Sequence, residues 1–262
     1  MALPEIDIIG AGNLATNLAP NLERNGLVVN TVYSRDLNDA KKITNRLYQA
    51  SAIDHLDFSS SRSCVFILAV SDSAIEEIAR ELILPDNAIV AHTSGSIPLS
   101  VLGYTASENI GVFYPLQTFT RTKSVSFKDI PILIEGDNKY TSKTLKLVAR
   151  EISDTVQTAS TKQRLMIHLA AVFASNFTNA MLVHAQDILK AAKADVNILA
   201  PLVQETMEKS FSLGALQGQT GPARRGDLDI LDMHMEMLND LEDKKEVYQL
   251  ISQQILDRYE NE

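Results

Sequence analysis

Gly10, Gly12 and Ala15 stand at G-x-G-x-x-[GA] spacing, directly behind the apolar run Ile6-Asp7-Ile8-Ile9. Each small residue answers a need of a phosphate-binding turn. Gly10 permits a tight exit from a strand. Gly12 lets the main chain approach a pyrophosphate. Ala15 lets the next helix lie close to the sheet, its first N–H groups aimed at the phosphates. The motif predicts a dinucleotide site at Gly10, Gly12, Asn13 and Leu14, on a helix that stops at Gly26. The same glycines also fit a tight βα turn with no ligand.

The next strand ends at Tyr33 and delivers Ser34-Arg35-Asp36. An NAD-preferring unit places an acid near this point for the ribose 2′-hydroxyl. Here a hydroxyl and a guanidinium come first, and both can hold a 2′-phosphate. NADP is therefore expected over NAD. Asp36 would serve as the ribose acid if the strand ran further. Val70 and Ser71, at the end of a later strand, are expected beside the nicotinamide ribose. A methyltransferase is disfavoured, because no acidic ribose clamp stands directly after the second strand.

Candidate proton and substrate groups lie further on. His168, Ser175, Asn179 and Gln186 fall in one arc at about 100° per residue, with Asn176 to one side. Such a polar stripe in an apolar helix either faces a cleft, with His168 as acid/base or clamp, or is a set of satisfied core or subunit-contact residues. His92-Thr93-Ser94-Gly95-Ser96 follows a strand, where α/β sheets place ligands. Ser94 or Ser96 would bind substrate there, or simply bond its own loop. In Tyr114-Pro115-Leu116-Gln117-Thr118-Phe119, Gln117 and Thr118 are expected to face the cleft. Arg225, in Thr220–Asp227, either holds an anionic substrate or pairs with Asp227. The five histidines, 55, 92, 168, 184 and 234, show no close metal-ligand spacing.

Alternating strands and helices position these groups. Strands are expected at Ile6–Ile9, Val28–Tyr33, Ala50–Ile53, Cys64–Val70, Ala88–His92 and Ile110–Phe113. Helices are expected at Leu14–Asn25, Asn38–Tyr48 and Ser73–Leu84. This predicts an α/β class with a parallel doubly wound sheet. Strands at Pro131–Glu135 and Thr155–Thr158 flank a helix at Ser142–Ile152 and extend or cap the sheet. Beyond residue 159 the pattern is helical. Ser160 and Gln163 form a capping box that opens a helix reaching about Ala192. Further helices are expected at Asn197–Leu213, Leu228–Leu238 and Asp240–Tyr259, with Gly214–Asp227 as a loop. Two domains are read, 1–158 and 159–262.

Composition excludes several partners. The 262 residues carry a formal charge of −9 and are 45% apolar. Nucleic acid and anionic membrane both require a basic patch, so neither is expected. No apolar run is read as a membrane span, and no secretory leader precedes the first strand. The single cysteine, Cys64, is expected to be a small buried hydrophobe. A cytoplasmic protein is expected.

Taken together, the glycine fingerprint, Ser34-Arg35, His92-Thr93-Ser94-Gly95, Tyr114-Pro115-Leu116-Gln117, His168 with Ala170–Asn176, Thr220–Asp227 and His234 resemble one family. It is the Rossmann-like proteins with a DUF2520 C-terminal domain, relatives of pyrroline-5-carboxylate reductase and F420-dependent NADP oxidoreductases. Thr220-Gly221-Pro222, Arg225, Gly226 and Asp227 are its most specific piece. The resemblance implies an N-terminal NADP-binding domain, a helical domain like that of 6-phosphogluconate dehydrogenase that makes a homodimer, and a cleft between them. Related β-hydroxyacid dehydrogenases use a Lys with an Asn four residues later. Here Lys162 is followed by Met166, which sets their catalytic scheme aside. The expected activity is hydride transfer to or from a small polar C=O or C=N substrate, with His168, Ser94, Asn176 and Arg225 as substrate-side residues. A non-catalytic NADP(H) sensor and an NADP–deazaflavin oxidoreductase are the alternatives.

Overall fold

The computed structural model describes residues 3–259. Eight strands form one sheet: β1 (Ile6–Ile9), β2 (Val29–Tyr33), β3 (Ser51–Ile53), β4 (Val65–Leu68), β5 (Ile89–His92), β6 (Asn109–Pro115), β7 (Ile132–Gly136) and β8 (Val156–Thr158). Their spatial order is β3-β2-β1-β4-β5-β6-β7-β8. The first six run parallel, β7 is antiparallel to β6, and β8 is parallel to β7. β1, β4 and β5 are buried at every position, as a parallel sheet covered on both faces requires.

Four helices accompany the sheet: α1 (Asn13–Arg24), α2 (Leu37–Thr44), α3 (Ile75–Glu81) and α4 (Lys139–Ile152). Ile6 and Ile8 of β1 share a buried cluster with Leu18 of α1, Ala40 of α2 and Leu145 of α4. Ile9 joins Phe66 and Leu68 in a second cluster with Ile75 and Ile78 of α3. Successive strand side chains thus serve opposite layers. Chain direction across the sheet reverses between β1 and β4, the place where such sheets open a ligand crevice.

Local chemistry moves several expected boundaries. α4 starts three residues early because the Asn138 side chain accepts from Thr141 N at 2.9 Å. α2 is shorter than expected and gives way to turns after Thr44. A 3₁₀ turn, Asp72–Ala74, precedes α3. Pro20 lies inside α1 and cannot donate to the Thr16 carbonyl, which accepts instead from Arg46 at 3.1 Å. Cys64 is half-buried, not buried, and precedes β4. Burial pushes its thiol upward, away from a thiolate role.

The chain separates into two compact units, one ending at Ala174 and the other starting at Ser175. The expected single helix after Ser160 is instead α5 (Thr161–Ala171), a π-helical turn (Val172–Phe177) and α6 (Thr178–Ala191). The expected capping box is present, Ser160 bonding the Gln163 N–H and Gln163 reaching back. The second unit continues with α7 (Ala200–Leu213), α8 (Ala215–Gly218), α9 (Pro222–Arg225), α10 (Leu228–Met237) and α11 (Glu242–Tyr259). α8 and α9 lie in the stretch expected to be a plain loop. The 31-residue helical run Thr161–Ala191 is long and apolar enough to cross a membrane by length and composition, a test that core helices of other proteins also pass.

Candidate active site

A cavity of about 400 Å³ opens where the strand order reverses. Gly10 to Leu14, Tyr33 to Arg35, Ala69 to Asp72, Thr93 and Ser94 line it. It gathers all eight residues expected at the cofactor: Gly10, Gly12, Asn13, Leu14, Ser34, Arg35, Val70 and Ser71.

The two glycines are there for different reasons. Gly10 has φ +118, and a Cβ on it would lie 2.4 Å from the Ala69 carbonyl oxygen. The fold itself demands that glycine. Gly12 has an ordinary φ of −78. A Cβ there would meet only Ala69 O, at 3.8 Å, an ordinary contact. Nothing in the described chain needs Gly12 bare. Gly12 is also the N-cap of α1, whose first turn has no side-chain cap and no acidic residue. Unshielded N–H groups at a helix start attract an anion. Ala15 is fully buried against the sheet, as the fingerprint expects.

At the end of β2, Asp36 is the N-cap of α2 and accepts from Asn38 N at 2.9 Å. That local bond uses one of the two carboxylate oxygens as a helix cap. Arg35 is exposed on the cavity rim. A second cation, Arg121, escaped the sequence reading. It donates to the Ala11 carbonyl at 2.9 Å and so reaches the glycine turn from the segment after β6. Its linear distance from the fingerprint left no signal to find it by.

The substrate-side candidates in the first unit are Ser94 and His168. Thr93 Oγ1 donates to the Leu68 carbonyl at 3.1 Å, stitching this loop to β4. The Ser94 hydroxyl accepts from Ser96 N at 3.1 Å and Ile97 N at 3.0 Å, so it builds its own turn as well as lining the cavity. Ser96 in turn donates to Asp72. His92 lies behind this loop, fully buried, and accepts from Ser94 N at Nδ1 (3.2 Å). Burial first, and the Arg164 charge second, push its imidazolium down to about 4. His92 is thus a neutral structural acceptor at physiological pH.

His168 sits on α5 and its Nδ1 lies 3.0 Å from the Tyr114 hydroxyl at the end of β6. Four residues earlier on the same helix face, Arg164 is fully buried. It donates to the Ser94 and Gly95 carbonyls at 3.0 and 3.1 Å and to Glu135 at 3.3 Å. Glu135 also accepts from the Thr161 N–H and hydroxyl, which ties the start of α5 to β7. Burial lowers the Arg164 guanidinium from its usual range, and Glu135 opposes that. Neither Tyr114 nor Arg164 was singled out as a site residue from sequence. Their signals were a hydroxylated aromatic at a strand's carboxyl end and a cation four residues before His168. Gln117 and Thr118, expected to face the cleft, are exposed and satisfied locally, Gln117 Oε1 accepting from Thr118 N at 2.8 Å.

The remaining candidates belong to the second unit. Arg225 pairs with Asp227, Nε and a terminal nitrogen reaching Oδ2 at 2.8 and 2.7 Å. Of its two readings, the structure shows the pairing. Asn176 is exposed within the π-helical turn. That turn adds residues per revolution and shifts the phase on which the His168–Gln186 stripe was counted. Asn179 and Gln186 line a further cavity of about 420 Å³ with Val196, Asn197, Ala200 and Gln204. A separate cavity of about 390 Å³, largely apolar, carries His184, Thr220, Pro222, His234 and Tyr248, with His234 Nδ1 2.7 Å from the Tyr248 hydroxyl. Among the described residues no cluster of His, Cys, Asp or Glu fits a metal ion.

The fold and this cavity define a dinucleotide-binding α/β protein with an added helical unit. Residues 2–111 match the model of a Rossmann-like domain, and residues 130–255 match a domain of unknown function, DUF2520. A Bacteroides fragilis protein, provisionally described as an NADP oxidoreductase, is 36% identical at a TM-score of 0.87, covering 97% of this chain and 98% of that one. The chain belongs to the family of Rossmann-like proteins with a DUF2520 domain. A Thermotoga maritima protein shares the fold at 22% identity and a TM-score of 0.73, covering 97% and 98%. So does a reductive aminase from Aspergillus terreus in complex with NADPH and ethyl levulinate, at 13% identity and a TM-score of 0.72, covering 98% and 95%. No protein of curated function matches.

Proposed function

We propose that the chain is an NADP(H)-dependent oxidoreductase acting on a C=O or C=N group of a small polar molecule. One observation carries this reading. The protein leaves room above Gly12 that its own fold does not require, facing the uncapped start of α1. A pyrophosphate suits that cradle, and Arg35 stands at the rim where a 2′-phosphate would lie, with Asp36 capping α2 through one oxygen. The Bacteroides relative and the NADPH-bound reductive aminase support the choice of NADP. The coenzyme, when bound, supplies the hydride.

The chain's own residues do the rest. His168 gives or takes a proton at the substrate oxygen or nitrogen, since Nδ1 is engaged by Tyr114 and Nε2 makes no hydrogen bond among the described residues. Ser94 shapes the cavity wall: its hydroxyl accepts from two backbone N–H groups and, with the Ser96 proton given to Asp72, donates to Ser96 Oγ at 3.2 Å. A cytoplasmic homodimer that associates through the helical region after residue 158 fits the apolar surface there. Leu202, Phe211 and Met237 are 63%, 88% and 73% exposed within one chain.

The test is NADPH binding by calorimetry, followed by NADPH oxidation over a panel of carbonyl and imine substrates. His168→Ala is expected to cut turnover about 10²-fold with coenzyme affinity kept. A variant that turns over normally removes His168 from the mechanism. Oxidation only with a deazaflavin present identifies the alternative acceptor, and tight binding without any oxidation identifies a sensor.

A further inference from the structure

We propose that Tyr114 is a positioning residue of this site: its hydroxyl donates to His168 Nδ1 and so holds the imidazole with its proton on Nε2. The proposal rests on the reading of His168 as the proton-transferring group. A neutral imidazole has one donor and one acceptor nitrogen, and the partner of one nitrogen decides the state of the other. Here the partner is a phenol 3.0 Å from Nδ1, on a ring set edge-on to the imidazole at 68°. Tyr114 is half-buried, and His168 is its hydroxyl's one hydrogen-bond partner among the described residues.

Two features of the chain are built around this pair. Gly95 follows Ser94, which lines the coenzyme cavity. A Cβ on Gly95 would stand 2.4 Å from His168 Nδ1 and 2.7 Å from Tyr114 Cζ. Any side chain there pushes the two rings apart, so the small residue at 95 serves the pair. The second feature is Arg164, whose guanidinium holds the Ser94 and Gly95 carbonyls on one side while sharing the α5 face of His168. It fixes the loop against the helix and brings positive charge to the pair.

Three charged groups bear on it: Arg164 from α5, Glu135 from β7 through Arg164, and Asp72 from the segment after β4. Burial raises the Tyr114 phenol, the Arg164 charge pulls it back, and Asp72 raises it slightly. The Arg164 charge thus works against burial, toward a phenol that donates more readily.

The test uses full-length protein labelled with ¹⁵N in its histidine rings, with His168 assigned by its loss in His168→Gln. Wild type is expected to show Nδ1 as an unprotonated acceptor and Nε2 carrying the proton. In Tyr114→Phe, which keeps the ring, the two resonances are expected to move toward a tautomer mixture. Gly95→Ala reaches the same end from the other side. On any substrate that turns over, Tyr114→Phe is expected to lose about tenfold in kcat with KM unchanged, and to shift the pH profile. A proton on Nδ1 in wild type, or identical ring resonances in Tyr114→Phe, overturns the proposal. That readout needs no turnover, so an inactive wild type would count against the oxidoreductase reading alone.

Discussion

Replacing Gly12 by Ala separates the part of the glycine turn that folding requires from the part a ligand requires. The new methyl group meets only the Ala69 carbonyl, at 3.8 Å, and the backbone there is ordinary. The cost to folding is that of a poorer helix cap, about 0.5–1 kcal/mol. For a chain of this length that is a fall in Tm of about 2–4 °C at most. The same methyl group fills the space a phosphate oxygen would use. Losing one charge-assisted main-chain contact costs a bound anion about 1.5–3 kcal/mol. NADPH should then bind about 10- to 100-fold more weakly. Gly10→Ala makes the contrast. Its Cβ would overlap Ala69 O at 2.4 Å, on a residue with φ +118. Strain and overpacking together cost about 2–6 kcal/mol. Differential scanning fluorimetry and calorimetric NADPH titration on both variants check the pair of effects. If Gly12→Ala binds NADPH as wild type does, the room above Gly12 is not a phosphate site and the argument from it fails.

Arg35→Ala should weaken NADPH by about tenfold or more and leave NADH nearly unchanged, because only NADPH carries the 2′-phosphate. An unchanged ratio of the two dissociation constants would place the 2′-phosphate elsewhere. His92 should make the protein acid-sensitive. Its folded value, pushed down to about 4, lies below the ordinary 6.5, so the unfolded chain binds the proton more readily. The stability this provides is complete above pH 6.5 and is lost as pH falls toward 4, up to on the order of 3 kcal/mol. His92→Asn, which keeps an acceptor for the Ser94 N–H, should flatten this part of the pH-dependence in denaturant melts. Parallel curves for the two proteins would mean that His92 is not the group responsible.

The linear chain made the coenzyme half of the site legible because one short run does the work. Strand, Gly10, Gly12, Ala15 and helix are adjacent, and Ser34-Arg35 marks the end of the neighbouring strand. Local rules of turn geometry and helix capping act over a few residues, so spacing alone reports them. The alternation that predicted a doubly wound sheet is local in the same sense. The helix after Ser160 shows where such counting stops. A fixed 100° step aligned His168 with Gln186, but a π-helical turn intervenes at Val172–Phe177.

Only the tertiary structure decided which groups surround His168. Tyr114 ends β6, Gly95 follows β5, Glu135 lies in β7 and Arg164 in α5, between 29 and 69 residues apart where they bond. No periodicity links them. Their meeting is set by the order in which the strands pair and by the packing of α5 on that sheet edge. Such an order follows from the summed burial of many apolar side chains rather than from any short run. The chain thus announced by itself that a phosphate-bearing coenzyme would be held. Where protons would be handled had to await the fold.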